Sequence, residues 1–315
     1  MNDSLKMESN EPLLPVSPEE VQRVLRELQT DEQTMVRAVE ALQEWASQQQ
    51  HLPRVSDPRL LRGLWLRRKC SLERTKEAVE RYYAARSLVP EVFSSRDPTS
   101  PALQTAAKYL HYVAMPHLTP SLTAVIVFRY TGAPGWEFDP MLMFKLVFMV
   151  SEVRLRECFA QGEEIVMDMS NFTLGHITRV SPSMMKKVEL CGMKAFSARM
   201  RSLHFVHAPS FVDTLLTLVK SAFAPKLASR IHVHSRGYEK LHEHIPPRFL
   251  PQECGGEAGP IAHISDMWYQ KLVSWRDWYK EQESIKVDES KRVGNPPYSS
   301  DMFGLEGSFR KLDLD

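Results

Sequence analysis

Hydrophobic positions recur at helical spacing from the first capped segment onward. Ser17 precedes Pro18-Glu19-Glu20, and Val21, Leu25 and Leu28 follow on one face, the pattern of a serine-capped helix with proline in its first turn. A second helix carries Val36, Val39, Leu42 and Trp45. Beyond Pro53, Asp57-Pro58 opens DPRLLRGLWLRRKCS, followed by LERTKEAVERYYAAR. The stretch up to Pro90-Glu91-Val92-Phe93 therefore reads as all helix. From about residue 94 the rhythm changes. Leu122–Tyr130 (LTAVIVFRY) is β-branched and aromatic, the signature of a buried strand. Asp139-Pro140 starts a long helix to about Phe159, and Glu164–Met169 is a second strand. Ser181-Pro182 caps a helix with Met184, Val188, Cys191 and Ala195 on one face. Arg201–His207 and Arg230–His234 are further strands, separated by an apolar helix from Ser210 to about Phe223, and a last helix spans about Ile261 to Glu281. Strands alternating with helices of this length predict βαβ units and a mainly parallel sheet, hence an α/β fold behind an all-helical module. The expected division is a flexible tail over 1–16, a helical module over 17–93, the α/β domain over 94–284, and a loosely held tail over 285–315.

Composition narrows the possibilities. In 315 residues, 40 Lys and Arg balance 39 Asp and Glu, which leaves no overall excess for a general nucleic-acid binder. The four cysteines lie far apart with no CxxC pair and read as free thiols in a reducing compartment. The N-terminus lacks the order of a signal peptide. The greasiest run, Met141–Val150, is ten residues long with Lys145 inside it, short of the roughly 20 needed to span a bilayer. The expected location is cytoplasmic.

Signatures of bond-making chemistry are missing. Neither GxGxxG nor GxxxxGK[ST] occurs, and there is no GxSxG elbow. His232/His234 and His242/His244 raise the metal question, but no carboxylate or cysteine completes a ligand set, so they are read as histidines of a polar edge. Asp168 with a nearby histidine is at most part of a triad without its serine. The expectation is a protein that is not an enzyme, without metal or cofactor.

The apolar inventory of residues 141–223 is the distinctive feature. Nine of the 15 methionines fall between Met141 and Met200, and methionine suits pockets that wrap irregular apolar ligands as well as cores. The helix SFVDTLLTLVKSAF is apolar nearly all round, with Asp213 and Lys220 its only charges. Residues 194–248 hold nine Lys/Arg against three Asp/Glu. Arg199 and Arg201 sit two apart in an extended entry, and Lys226 and Arg230 sit four apart just beyond the apolar helix. Cations flanking a greasy element suit an anionic membrane or a phosphorylated lipid headgroup.

These residues resemble a known family. DPRLLRGLWLRRKCSLERTKEAVERYYAAR with Pro90-Glu91 is similar to the N-terminal helical module of CRAL-TRIO proteins, and LHFVHAPSFVDTLLTLVK, KLASRIHVH and HIPPRFLPQECGG resemble the second half of their lipid-binding domain. The likeness covers roughly residues 17–280 and is strongest to long-tailed members that carry tocopherols and retinoids. It implies a sheet-floored pocket closed by a mobile gate helix, here about His207 to Arg230, and a hydrophobic cargo that is tocopherol-, retinoid- or carotenoid-like. The implied pocket residues are Phe144, Phe148, Met167, Val188, Cys191, Gly192, Phe196, Leu203, Phe205, Phe211, Leu215, Leu218 and Val219. The implied phosphoinositide ligands are Arg199, Arg201, Lys226 and Arg230, docking the carrier transiently on membranes. Gly63 and Cys70 stand where the family's helices carry bulky apolar residues, an expected loosening of the module. The alternatives are a phospholipid or phosphatidylinositol exchanger or lipid sensor, and a hydrolase with a cryptic site.

Overall fold

The computed structural model describes residues 13–132, 138–235 and 237–294. The N-terminal module contains α1 (Pro18–Glu27), α2 (Glu32–Ser47), α3 (Pro58–Arg67), α4 (Leu72–Leu88) and α5 (Pro90–Phe93). Their starts follow local chemistry: Ser17 and Glu20 form a reciprocal capping box, and the Asp31, Asp57 and Ser71 side chains each accept an amide of the first turn. The core of the module is built from Leu25, Leu42, Leu60, Leu64 and Tyr82, all nearly inaccessible.

Helix α6 (Pro101–Tyr109) leads into a five-stranded sheet ordered β1-β2-β3-β4-β5, with β1 (Leu110–Leu118), β2 (Thr123–Tyr130), β3 (Gly162–Asp168), β4 (Met200–Val206) and β5 (Ile231–His234). β1 pairs antiparallel with β2, and the remaining pairs are parallel. The first strand was not expected from the sequence. Its LHYVAMPHL run contains Pro116 and two histidines, and its register shifts between Ala114 and Leu118, which only an edge strand tolerates. The central strands match the sequence reading within two residues.

Helix α7 (Pro140–Glu157) packs between sheet and module. Its Glu152 is fully buried and accepts from Tyr82 Oη at 2.6 Å, from Arg86 Nη2 at 2.6 Å and from Arg96. Arg156 reaches back to Asp57 at 2.9 Å and donates to Tyr82 Oη at 2.9 Å. Gly63 corrects an expectation. It loosens nothing, because a Cβ there would lie 1.8 Å from the Leu155 carbonyl oxygen, so the glycine lets α3 press directly onto α7.

The chain continues through α8 (Leu174–Ile177), α9 (Pro182–Glu189), α10 (Val212–Ala222), α11 (Pro225–Ala228) and α12 (Glu239–His244). The last long helix divides at Trp275 into α13 (Ile261–Ser274) and α14 (Arg276–Gln282). Residues 285–292, expected to be loosely held, return to the helical module. Ile285 and Val287 pack against its core, the Asp288 amide donates to the His51 carbonyl at 2.9 Å, and Arg292 pairs with Glu80 at 2.8 Å. Most of the two expected tails, residues 1–12 and 295–315, lies outside the described residues. Among the described residues no helix is long and apolar enough to cross a membrane.

Candidate lipid-binding cavity

Alternation along the strands decides which side chains form a floor. Ile165 and Met167 of β3, Leu203 and Phe205 of β4, and Ile231 of β5 point to one side and line a cavity of about 220 Å³. Phe144, Val147, Phe148 and Ser151 of α7 form one wall, and Met185 and Val188 of α9 another. Leu215, Val219 and Lys220 of α10 close it. Helix α10 holds on by apolar packing. Its side-chain hydrogen bonds among the described residues, Thr217 to the Asp213 carbonyl and Ser221 to the Leu218 carbonyl, stay inside the helix, and Phe211 at its start gives no side-chain cap.

Ten of the expected pocket residues line this cavity: Phe144, Phe148, Met167, Val188, Gly192, Phe196, Leu203, Phe205, Leu215 and Val219. Three do not. Phe211 and Leu218 pack beside Leu215 and Val219 in the cluster under α10 without lining the space. Cys191 is fully buried against the helical module, in one cluster with Phe93 and Tyr82. The cause is a π-helical turn over Leu190–Ala195 that continues α9. Its wider turn shifts the register, so Gly192, Met193 and Phe196 face the cavity while Cys191 and Ala195 face the module. Burial pushes the Cys191 thiol far up, so it is inert.

The polar end of the cavity was not foreseen from the sequence. Arg67 of α3, Tyr112 of β1, Ser151 of α7 and Glu163 of β3 line it together. Glu163 Oε1 sits 2.9 Å from Arg154 Nη2 and 3.3 Å from Arg67 Nη2. Burial opposes the Glu163 charge, yet Arg154 and Arg67 hold its carboxyl below the usual range. Tyr112 Oη lies 3.4 Å from Ser151 Oγ, and burial raises its phenol. These residues stand as many as 96 positions apart in the chain, so no local motif announces them. Arg67 also donates to the Phe196 carbonyl at 3.0 Å and Arg68 to that of Lys194 at 3.0 Å, which pins the π-helical wall.

Outside, Arg199, Arg201 and Arg230 converge. Arg199 is half-buried with its Nη1 unpartnered, and burial together with the charges of Arg201 and Arg230 lowers its pKa. Arg201 is exposed and lies over Gly162, where a Cβ would come within 2.8 Å of its side chain. Arg230 donates to the Met200 carbonyl, and Lys226 is exposed on α11. The four cysteines are unpaired, and among the described residues no group of three His, Cys, Asp or Glu side chains could hold a metal ion.

Residues 111–256 match the CRAL/TRIO domain. Residues 111–256 therefore carry a CRAL/TRIO domain. Residues 31–103 match a Pinta-like UBA domain, so the helical region preceding the CRAL/TRIO domain is UBA-like. Mouse "Alpha-tocopherol transfer protein-like" is 25% identical over 265 residues, covering 83% of this chain and 76% of the relative. Rat "Clavesin-2" is 23% identical over 277 residues, covering 87% and 83%. Among solved structures, that of Sfh5 covers 92% of this chain and 97% of its own at 12% identity, with a TM-score of 0.42. The CRAL/TRIO family is one of lipid binding and transfer, and the CRAL/TRIO region here contains nearly all of the cavity.

Proposed function

We propose that this protein is a cytoplasmic carrier of a neutral hydrophobic lipid with a small hydrogen-bonding head, tocopherol-, retinoid- or carotenoid-like, rather than an enzyme. The observation that carries the reading is the roughly 220 Å³ apolar cavity with polar groups gathered at Arg67, Tyr112, Ser151 and Glu163. Burial of the cargo's apolar area supplies affinity at roughly 25 cal/mol per Å²; the Tyr112 hydroxyl is available to a hydroxyl or carbonyl group, and Ser151, which donates to the Val147 carbonyl at 2.8 Å, offers an acceptor oxygen. Release occurs when α10, held by apolar packing, exchanges the cargo for a membrane surface. Arg199, Arg201, Lys226 and Arg230 favour that exchange by binding a phosphoinositide headgroup, because three mutually repelling guanidiniums gain most from a polyanion.

The phospholipid-exchange reading is weaker. An internal phosphate needs free cationic donors, and Arg67 at the polar end already faces the Glu163 carboxylate. Native mass spectrometry of the purified protein tests the cargo, a co-purifying phospholipid overturning the neutral-lipid reading. Transfer of fluorescent tocopherol to liposomes tests the headgroup. Arg201→Ala and Lys226→Ala are expected to slow transfer to phosphoinositide-containing vesicles several-fold while retention in solution stays unchanged. Equal rates for parent and variants across salt concentrations would sink it.

A further inference from the structure

The face of the sheet opposite the cavity carries four clustered imidazoles. His204 of β4 is fully buried, and its register partner on β5 is His232. His234 lies two residues further along β5, and His244 comes from α12. The ring of His204 stacks on that of His232 at 4.8 Å and on His234 at 5.3 Å between centroids. The ring of His244 lies 5.0 Å from His204 and 4.6 Å from His232. His204 Nδ1 and His234 Nε2 share one hydrogen bond of 3.1 Å, so one nitrogen must donate and the other accept. His204 Nε2 and His234 Nδ1 are buried without partners. The charges acting on the group have one sign: the histidines themselves and Lys240 of α12. From β3, the residue paired with His204 is the neutral Val166, and Glu164, two pairs away, accepts from Thr123. Asp168 is already engaged with Arg129 and His207, and Glu239 and Glu243 of α12 are exposed. Burial, then mutual repulsion, lowers the pKa of His204 to about 3 and lowers those of His232 and His234.

The cluster stands at both ends of the gate segment. The Ala208 amide, before α10, donates to the His234 carbonyl at 3.2 Å. The Arg230 carbonyl, after α11, accepts from the Leu203 amide at 2.9 Å, next to His204. Residues 208–230 are thus hinged on the β4–β5 edge at entry and at exit.

We propose that His204, His232 and His234, with the His244 ring packed on them, form an acid-sensitive latch: protonation below neutrality loosens β5 and α12 from β4, and both hinges of segment 208–230 give way together. The closed edge disfavours the charged forms of His204, His232 and His234, whereas an opened edge binds protons freely, so falling pH shifts the population toward opening. An anionic membrane adds to bulk acidity without replacing it. A surface potential of about −30 mV lowers the local pH by about half a unit. The latch rests on the carrier reading for its purpose, not for its existence.

The test uses the full chain loaded with Nile red and offered to neutral phosphatidylcholine vesicles at pH 7.5 and 5.5. Amide exchange of residues 208–234 is followed in parallel, corrected for the intrinsic pH dependence of exchange. Release and edge exchange are expected to accelerate about tenfold at pH 5.5. His204→Phe, which keeps a stacking ring without a titrating nitrogen, is expected to lose most of that acceleration. His232→Phe, at a half-buried position whose ring also stacks on His204, is expected to lose part of it. Unchanged exchange of residues 231–234 at the two pH values overturns the latch, as does a parent-like acid response in both variants. Edge opening without faster release overturns the coupling to the gate. Exchange decides the latch even where Nile red fails to load at pH 7.5, an outcome that would instead count against the carrier.

Discussion

At Gly63 the missing side chain sets the distance between two layers. With Leu155 carbonyl oxygen 1.8 Å from where a Cβ would stand, Gly63→Ala must push α3 off α7 and is expected to cost about 1–3 kcal/mol. Urea denaturation checks this, and an unchanged midpoint would show that the layers can part freely. Gly192 poses the opposite case. A Cβ there meets Phe148 only at 3.8 Å, on the cavity side, so a larger side chain would occupy the cargo's space. Gly192→Leu is expected to leave the melting temperature within a few degrees and to weaken Nile red binding about tenfold or more. The two glycines look alike in sequence. Only the neighbouring backbone distinguishes a packing requirement from an open wall, which is why Gly63 was read as a loosening.

At the scale of elements, the parts written as near-continuous apolar runs are legible. The α7 run, the β2 run and α10 stand out in this way, and β2 is buried on both faces. β1 is not legible, since an edge strand is free to carry Pro116 and His117. The π-helical turn at Leu190–Ala195 was hidden for another reason: one extra residue per turn moves Cys191 from cavity to module without altering composition. Cys191→Ala is accordingly expected to destabilise by about 1–2 kcal/mol through a lost buried contact and to leave cargo affinity unchanged. A shifted Nile red affinity with an unchanged melting temperature would return Cys191 to the pocket wall. The cationic group was visible as a local charge excess, although its convergence depends on β4, the Gly162 gap and the end of α11.

Across the whole molecule, buried charge ties the layers together. Burial opposes ionisation of Glu152, but Arg96, Arg86 and Arg156 outweigh it and hold the carboxyl at about 2. A lowered carboxylate pKa contributes stability that is present above its unfolded value, near 4.5, and is lost as pH falls toward about 2. Histidine follows the same direction from a higher start. Because His204 is lowered to about 3 from 6.5, its contribution is intact above about pH 6.5 and is lost progressively below it. Glu152→Gln, which strands buried guanidiniums, is expected to cost about 3–5 kcal/mol at pH 7 and to flatten the acid limb below pH 4.5. Thermal melts from pH 7 to pH 3 measure both, and a variant whose melting temperature falls in parallel with the parent's would refute the assignment.

Arg67 gives the helical module a stake in what the cavity holds. Among the described residues it is the one side chain from before residue 94 that lines the space, and it simultaneously clamps Glu163 and the Phe196 carbonyl. The cavity is therefore completed by a side chain from outside its own domain, so a change at its polar end would reach the helical bundle through Arg67.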